Sequence, residues 1–278
     1  MVSQNVKNLG NVDMKNLAGK VAIITGGAAS IGAAITTKLH EEGVSVVIAA
    51  RSADKGEAIA KRLGKNALYV QTDITDDAQL DALIAATLQK FGKLDIVVNN
   101  ACSYGDDGAA TDRATWLDTL NVNAVSAAIL GEKARPHLKK VKGNIVNIGS
   151  VSGKFPHIGR WVYPVAKATL HHLSKSQAVD YAVDNIRVNL VMLGHIWSYP
   201  FEGLTENNRP HADKVSSAYN LLGRVADASE VAEVVAFVAS DSASYMTGGE
   251  IAVDGGYSAM GPEQHFPLMP LLMDTTSS

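Results

Sequence analysis

The chain has 278 residues, with 25 Lys and Arg against 28 Asp and Glu, a formal charge of −3. This balance, with no basic cluster, excludes a general nucleic-acid binder, which needs positive charge to neutralise phosphates. Hydrophobic residues at 46% and charged residues at 19% exclude wholesale disorder, and the single Cys102 excludes an internal disulfide and fits a reducing compartment.

No stretch has the roughly 18 uninterrupted apolar residues of a membrane span. Met1–Lys20 lacks the apolar core of a secretory signal, so a cytoplasmic protein with no membrane partner is expected.

Residues 1–16, rich in Asn, Lys and Gly, read as a loose arm. From Lys20 onward short apolar runs alternate with amphipathic stretches. The runs are Val21–Thr25, Val44–Ala50, Ala67–Val70, Leu94–Val98, Asn144–Ile148, Ile186–Val191 and Glu250–Val253. Between them, Leu80, Leu83, Ile84, Thr87, Leu88 and Phe91 keep helical spacing, as do Val231, Val234, Val235 and Val238. Wholly apolar strands alternating with helices predict a parallel sheet covered on both faces. The expectation is one α/β domain over 1–278, a doubly wound sheet of seven strands with at least six helices. Residues 194–223 show the least internal periodicity and read as loops at the carboxyl edge of the sheet, where such folds bind ligands. Residues 258–278 read as an extended apolar tail, broken by Pro262, Pro267 and Pro270.

Several strand ends carry residues suited to chemistry. The first runs into Thr25-Gly26-Gly27-Ala28-Ala29-Ser30-Ile31-Gly32. Small residues there let a pyrophosphate approach the backbone at a helix amino end, or simply allow tight packing. The second ends in Ala50-Arg51-Ser52, where folds that prefer NAD place an acid. Arg51 could instead bind a 2′-phosphate, or be an exposed loop residue. Asp73 and Ile74 follow the third strand. Asp73 could meet an adenine amino group, or Asp73, Thr75 or Asp76 could cap the next helix. Asn99 and Asn100 end the fourth, where buried amides must be hydrogen-bonded. Ser150 follows the fifth; Tyr163 comes thirteen positions later and Lys167 four beyond that, on one helix face. A nearby cation lowers the pKa of a phenol, ordinarily about 10, towards a value useful for proton transfer. Taken alone, that spacing is also an ordinary surface contact. The eight histidines show no metal-ligand spacing, and no Ser–His–acid spacing suggests a hydrolase.

Together these motifs, in this order from Lys20 to Tyr257, resemble the short-chain dehydrogenase/reductase family. Gly26, Ser30, Ile31 and Gly32 fall in a turn similar to its TGxxxGIG. Asn100 and Ala101, Asn123 within Val122-Asn123-Ala124, Arg187-Val188-Asn189 and Asp254-Gly255-Gly256 match further motifs. The resemblance implies a Rossmann-like fold. Tyr163 would be general acid or base, Lys167 would lower its pKa and bind the nicotinamide ribose, Ser150 would orient the substrate oxygen, and Asn123 would hold a relay water. Gly26, Ser30, Ile31, Gly32, Arg51, Ser52, Asp73, Ile74, Asn100, Ala101, Tyr163, Lys167, Gly194, Ile196 and Ser198 would bind the cofactor, NADP(H) in preference to NAD(H). The substrate would be a ketone or secondary alcohol, a 3-oxoacyl-carrier-protein as one alternative; a non-catalytic NADP(H) sensor is another. A spacing of four between Tyr163 and Lys167 separates the chain from the enoyl-reductase branch. The family's usual homotetramer is expected, through the helices around Trp116–His137 and Tyr163–Tyr181; the tail would pack on a neighbouring subunit near residues 194–223, or fold back on its own subunit. The chain departs from the family pattern at Ser30 and Cys102, each in place of glycine, at Leu193 in place of proline, and at Ser198 in place of threonine. Tyr104, Ser152, Phe155, His157, Trp161, His195, Trp197, Tyr199 and Phe201 are candidate substrate walls, with Arg160 the one strong anion candidate among them.

Overall fold

The computed structural model describes residues 14–261. Strands β1 (Val21–Thr25), β2 (Ser45–Ala50), β3 (Ala67–Gln71), β4 (Ile96–Asn99), β5 (Asn144–Ser150), β6 (Arg187–Leu193) and β7 (Glu250–Val253) form one sheet in the order β3-β2-β1-β4-β5-β6-β7. Every neighbouring pair is parallel. The helices are α1 (Ser30–Glu41), α2 (Ala53–Leu63), α3 (Asp77–Phe91), α4 (Arg113–Leu120), α5 (Ser126–Val141), α6 (Val162–Tyr181), α7 (Tyr199–Leu204), α8 (Arg209–Ser216) and α9 (Ala228–Ala239). The sequence therefore folds as the expected doubly wound, Rossmann-like α/β sheet.

The two faces are covered separately, which is why β1 and β4 are apolar at both pleat positions and buried throughout. Ile35 and Leu39 of α1 and Val231, Val235 and Val238 of α9 pack on Ala22, Ile24, Val46 and Ile48. Leu80, Leu83 and Ile84 of α3, Leu130 and Leu138 of α5 and Ala178 and Tyr181 of α6 pack on Ile23, Val47, Val97 and Ile145. The strand order reverses between β1 and β4, and the carboxyl ends flanking that point hold the site.

Several boundaries differ from the sequence expectation: β2 starts one residue later, β3 ends one residue later, and β4 runs Ile96–Asn99 instead of from Leu94 to Val98. β5 and β6 end two residues further on, because Gly149 and Ser150, which break the apolar run of β5, still pair with Met192 and Leu193. The region 194–223 contains α7 and α8; α8 is too polar to show an apolar stripe, and Asn208 caps it by accepting the His211 N–H. The arm expected over 1–16 lies outside the described residues up to position 13, but Met14 packs on the core and Asn16 Nδ2 donates to Asp241 Oδ2 at 2.9 Å. Beyond Gly261 the tail also lies outside the described residues.

Candidate active site

The turn after β1 is shaped by sterics. Gly26 has φ +65°, and a Cβ there would come within 3.0 Å of Ala101 Cα and of Asn100 Nδ2. A Cβ on Gly32 would lie 2.1 Å from the Gly26 carbonyl oxygen, so α1 packs directly on the turn. Ser30 has φ +49°, in the left-handed region that favours glycine. Ala29, the N-cap of α1, gives no side-chain hydrogen bond, so the first-turn N–H groups remain available to an anion.

The asparagines are structural ties. Asn99 Nδ2 donates to Asn147 Oδ1 at 2.8 Å, and Asn147 Nδ2 donates to Ser174 Oγ at 2.8 Å, linking β4 to β5 and α6. Asn100 Nδ2 donates to Thr25 O at 3.0 Å, which holds β4 against the turn.

Two cavities lie end to end along the sheet edge. One, of about 270 Å³, is lined by Gly26, Ala50, Arg51, Asp73, Ile74 and Ala101. The other, of about 430 Å³, is lined by Ile31, Asn100, Ser150, Tyr163, Lys167, Gly194, Ile196 and Ser198 among others. Ser52 lies outside both, as the exposed N-cap residue of α2. Arg51 is exposed at the rim of the first, and its guanidinium makes no hydrogen bond or ion pair among the described residues. Asp73 Oδ1 accepts from Thr75 N at 3.0 Å and Thr75 Oγ1 at 2.7 Å, and these bonds hold its carboxyl below the usual range. Asp76, not Asp73 or Thr75, caps α3.

Ser150 is the last residue of β5, and its Oγ accepts the Ser152 N–H at 3.1 Å. Tyr163 lies in the first turn of α6, its ring stacked on Tyr104 at 5.2 Å between centroids. Burial pushes the Tyr163 phenol well above the ordinary tyrosine range; Cys102 and Tyr104 add to this, and the Ser150 hydroxyl opposes it. Lys167 is expected to lower that value, but its Nζ sits 5.8 Å from the Tyr163 ring centroid and donates to Ile148 O at 2.9 Å. Burial of the ring outweighs a cation already committed to a strand carbonyl.

Asn123 lies in a π-helical turn between α4 and α5. Its Oδ1 accepts Ser103 N at 2.7 Å and its Nδ2 donates to Ser103 O at 2.8 Å, so one amide hydrogen and one lone pair are left for a relay water.

Of the wall residues expected, Tyr104, Ser152, His157, His195 and Phe201 line the larger cavity, as does Arg160. Phe155 packs instead on Tyr257, Trp197 under Arg209, and Tyr199 beside Lys55, while Trp161 is half exposed. Pro200 and Leu204 complete the wall from α7, which showed no period in the sequence. Asp106 was also missed: its Oδ2 accepts Tyr163 N at 2.9 Å, and its Oδ1 accepts Trp161 N at 3.0 Å and Gly108 N at 2.9 Å. No local pattern marks it, since its partners lie up to 57 positions away.

Residues 26–258 match the family model described as Enoyl-(Acyl carrier protein) reductase. A cis-4-hydroxycyclohexanecarboxylate dehydrogenase of Sinomonas cyclohexanicum is 37% identical over 249 residues, covering 87% of this chain and 98% of that one. A 3-oxoacyl-(acyl-carrier-protein) reductase of Escherichia coli is 35% identical over 243 residues, covering 87% and 98%. An L-sorbose reductase from Gluconobacter frateurii, solved with NADPH and L-sorbose, superposes with a TM-score of 0.84 at 28% identity, covering 90% of this chain and all of that one. With this sheet order and this run of motifs, the chain belongs to the short-chain dehydrogenase/reductase family.

Proposed function

We propose that the protein interconverts a ring-borne ketone and its secondary alcohol with NADP(H), Tyr163 moving the proton. One observation carries the reading. Ser150, Tyr163 and Lys167 meet on the wall of one cavity of about 430 Å³. A carbonyl oxygen placed between the Ser150 and Tyr163 hydroxyls is held by both.

The residues fit a dinucleotide: an uncapped helix start beside a glycine turn suits a pyrophosphate, and an unpaired guanidinium at the rim suits a 2′-phosphate. When bound, the nicotinamide supplies or accepts the hydride. Ser150 orients the substrate oxygen, and Tyr163 gives its Oη proton to that oxygen in reduction. A phenol raised by burial is protonated at neutral pH, the form that donates, so reduction is favoured there and oxidation at alkaline pH. A water held by Asn123 would link Lys167 to solvent and pass the replacement proton towards Tyr163.

The ring preference rests on the hydroxycyclohexanecarboxylate dehydrogenase relative and on a wall of Tyr104, Phe201, Pro200 and Leu204, flat or branched apolar surfaces suited to a ring. The likeness to the 3-oxoacyl-(acyl-carrier-protein) reductase favours a second reading, a straight-chain 3-oxoacyl thioester. Steady-state rates with 4-oxocyclohexanecarboxylate, cyclohexanone and an acetoacetyl thioester, with NADPH and NADH at pH 6–10, test both. Higher kcat/KM for the ring ketones with NADPH, falling as pH rises, is expected. Preference for the thioester would replace the ring reading, and NADPH binding with no turnover on any of them would favour a sensor.

A further inference from the structure

His171 stands on the same face of α6 as Tyr163 and Lys167, one turn beyond the lysine, yet it touches neither cavity. It is buried, and its ring fills a slot left by two glycines on either side of Ser150. A Cβ on Gly149 would lie 2.7 Å from His171 Nε2, and one on Gly153 would lie 2.8 Å from it. The Ser150 backbone N–H points at Nε2 across 3.4 Å. A nitrogen that receives an N–H must present its lone pair, so the neutral ring carries its proton on Nδ1. Nδ1 has no hydrogen-bond partner among the described residues, and the nearest carboxylate oxygen is Glu250 Oε1 at 3.7 Å. Glu250 in turn receives Lys154 at 2.5 Å and Lys175 at 3.0 Å.

We propose that His171 is a positioning residue for Ser150: its uncharged ring holds the Ser150 N–H at Nε2 while Nδ1–H faces Glu250, and protonation releases the serine. A second proton on the ring would set a donor against the Ser150 donor, which breaks the bond. The charged groups that face the ring are Glu250 from β7, Lys154 from the turn after β5, and Lys167 and Lys175 from its own helix. Burial lowers the affinity of the ring for a proton, Glu250 raises it and the three lysines lower it, with a net shift below the ordinary histidine value. Ser150 is therefore held throughout the neutral range and loses its anchor only in acid, below the ordinary histidine range. The device lies behind the reacting groups and acts on the placement of the Ser150 hydroxyl, not on the proton transferred.

The inference rests on the ketone-reductase reading only for its kinetic readout, so the first measurement needs no turnover. With serine labelled in ¹⁵N, the Ser150 amide resonance is followed from pH 8 to pH 5 in wild type and in His171→Gln, whose amide oxygen can take the same N–H without titrating. The wild-type resonance should move along a single titration, and that of the variant should stay fixed. In ketone reduction, His171→Leu should lower kcat on the order of 10-fold with the NADPH KM unchanged. His171→Gln should keep most of the wild-type rate at pH 8 and lose the acid limb. A Ser150 amide that does not respond to pH, or that titrates alike in wild type and His171→Gln, overturns the proposal. So does wild-type kcat in His171→Leu across the pH range. If the leucine variant fails to fold, the glutamine comparison decides alone.

Discussion

Asp106→Ala removes the acceptor that fixes the start of α6. Its carboxylate receives Tyr163 N at 2.9 Å, Trp161 N at 3.0 Å and Gly108 N at 2.9 Å. Loss of a helix-capping acceptor costs about 0.5–2 kcal/mol, and with a second anchored loop amide the sum is about 2–3 kcal/mol. For a chain of this size that corresponds to a Tm lower by about 4–10 °C. The Tyr163 amide is one of the groups released, so the phenol moves relative to Ser150, and kcat should fall about 10-fold, less than the 100-fold that a full 1 Å misplacement costs. NADPH affinity should not change, because Asp106 lines neither cavity. Burial works to raise the Asp106 carboxyl, but the Trp161, Tyr163 and Gly108 N–H groups and the Arg160 charge outweigh it and hold it below the usual carboxylate range. A depressed folded value stabilises the protein above the unfolded value of about 3.9 and ceases to do so as pH falls through the folded one. The Tm gap between wild type and variant should therefore be constant from neutral pH to about pH 5 and close only below about pH 4. Scanning calorimetry across that range, with ketone kinetics at pH 7, measures both. A Tm within about 1 °C of wild type together with an unchanged kcat would refute the anchoring role.

Ser30→Gly should raise Tm by about 2 °C: relief of a left-handed non-glycine residue is worth about 1–2 kcal/mol and the added chain entropy takes back about 0.5–1. A lower Tm in calorimetry would show that the Ser30 side chain stabilises the turn. Arg51→Ala should raise KM for NADPH about 10- to 150-fold and leave KM for NADH near its wild-type value, since a charge-assisted hydrogen bond is worth about 1.5–3 kcal/mol. Equal effects on the two cofactors would make Arg51 a surface residue. A homotetramer built on the outer faces of α4, the π-helical turn that follows it and α6, where Leu117, Val125, Val165 and Val179 are exposed, should give four times the chain mass in light scattering, and Val179→Lys should lower it. A monomeric wild type would remove that assembly.

What the sequence made legible follows from which forces are local. β1 has the bounds its apolar run predicts, because burial on both faces writes itself as an unbroken run; the half-buried edge strand β7 also has its expected bounds. The turn after β1, Arg51 and the Ser150–Tyr163–Lys167 set were visible because each sits beside a strand end or on one helix face. Asp106 and Glu250 were not, since their partners Tyr163 and His171 lie 57 and 79 positions away and periodicity reports burial, not who meets whom. In the sequence His171 is one of eight histidines without metal-ligand spacing, and its role needs the two glycines that the fold brings around it. α7 and α8 were hidden because they are short and, in α8, polar, so no apolar face marked them.

Tyr163→Phe tests the central claim most directly, with NADPH binding followed by fluorescence and ketone-dependent NADPH oxidation measured on the same sample. The ring and its stacking on Tyr104 remain while the transferable proton is gone. The account predicts unchanged NADPH affinity and turnover lower by about 100- to 10,000-fold, the range that general acid–base catalysis supplies. Turnover within about 10-fold of wild type would contradict it, since a proton source other than Tyr163 would then serve the reaction.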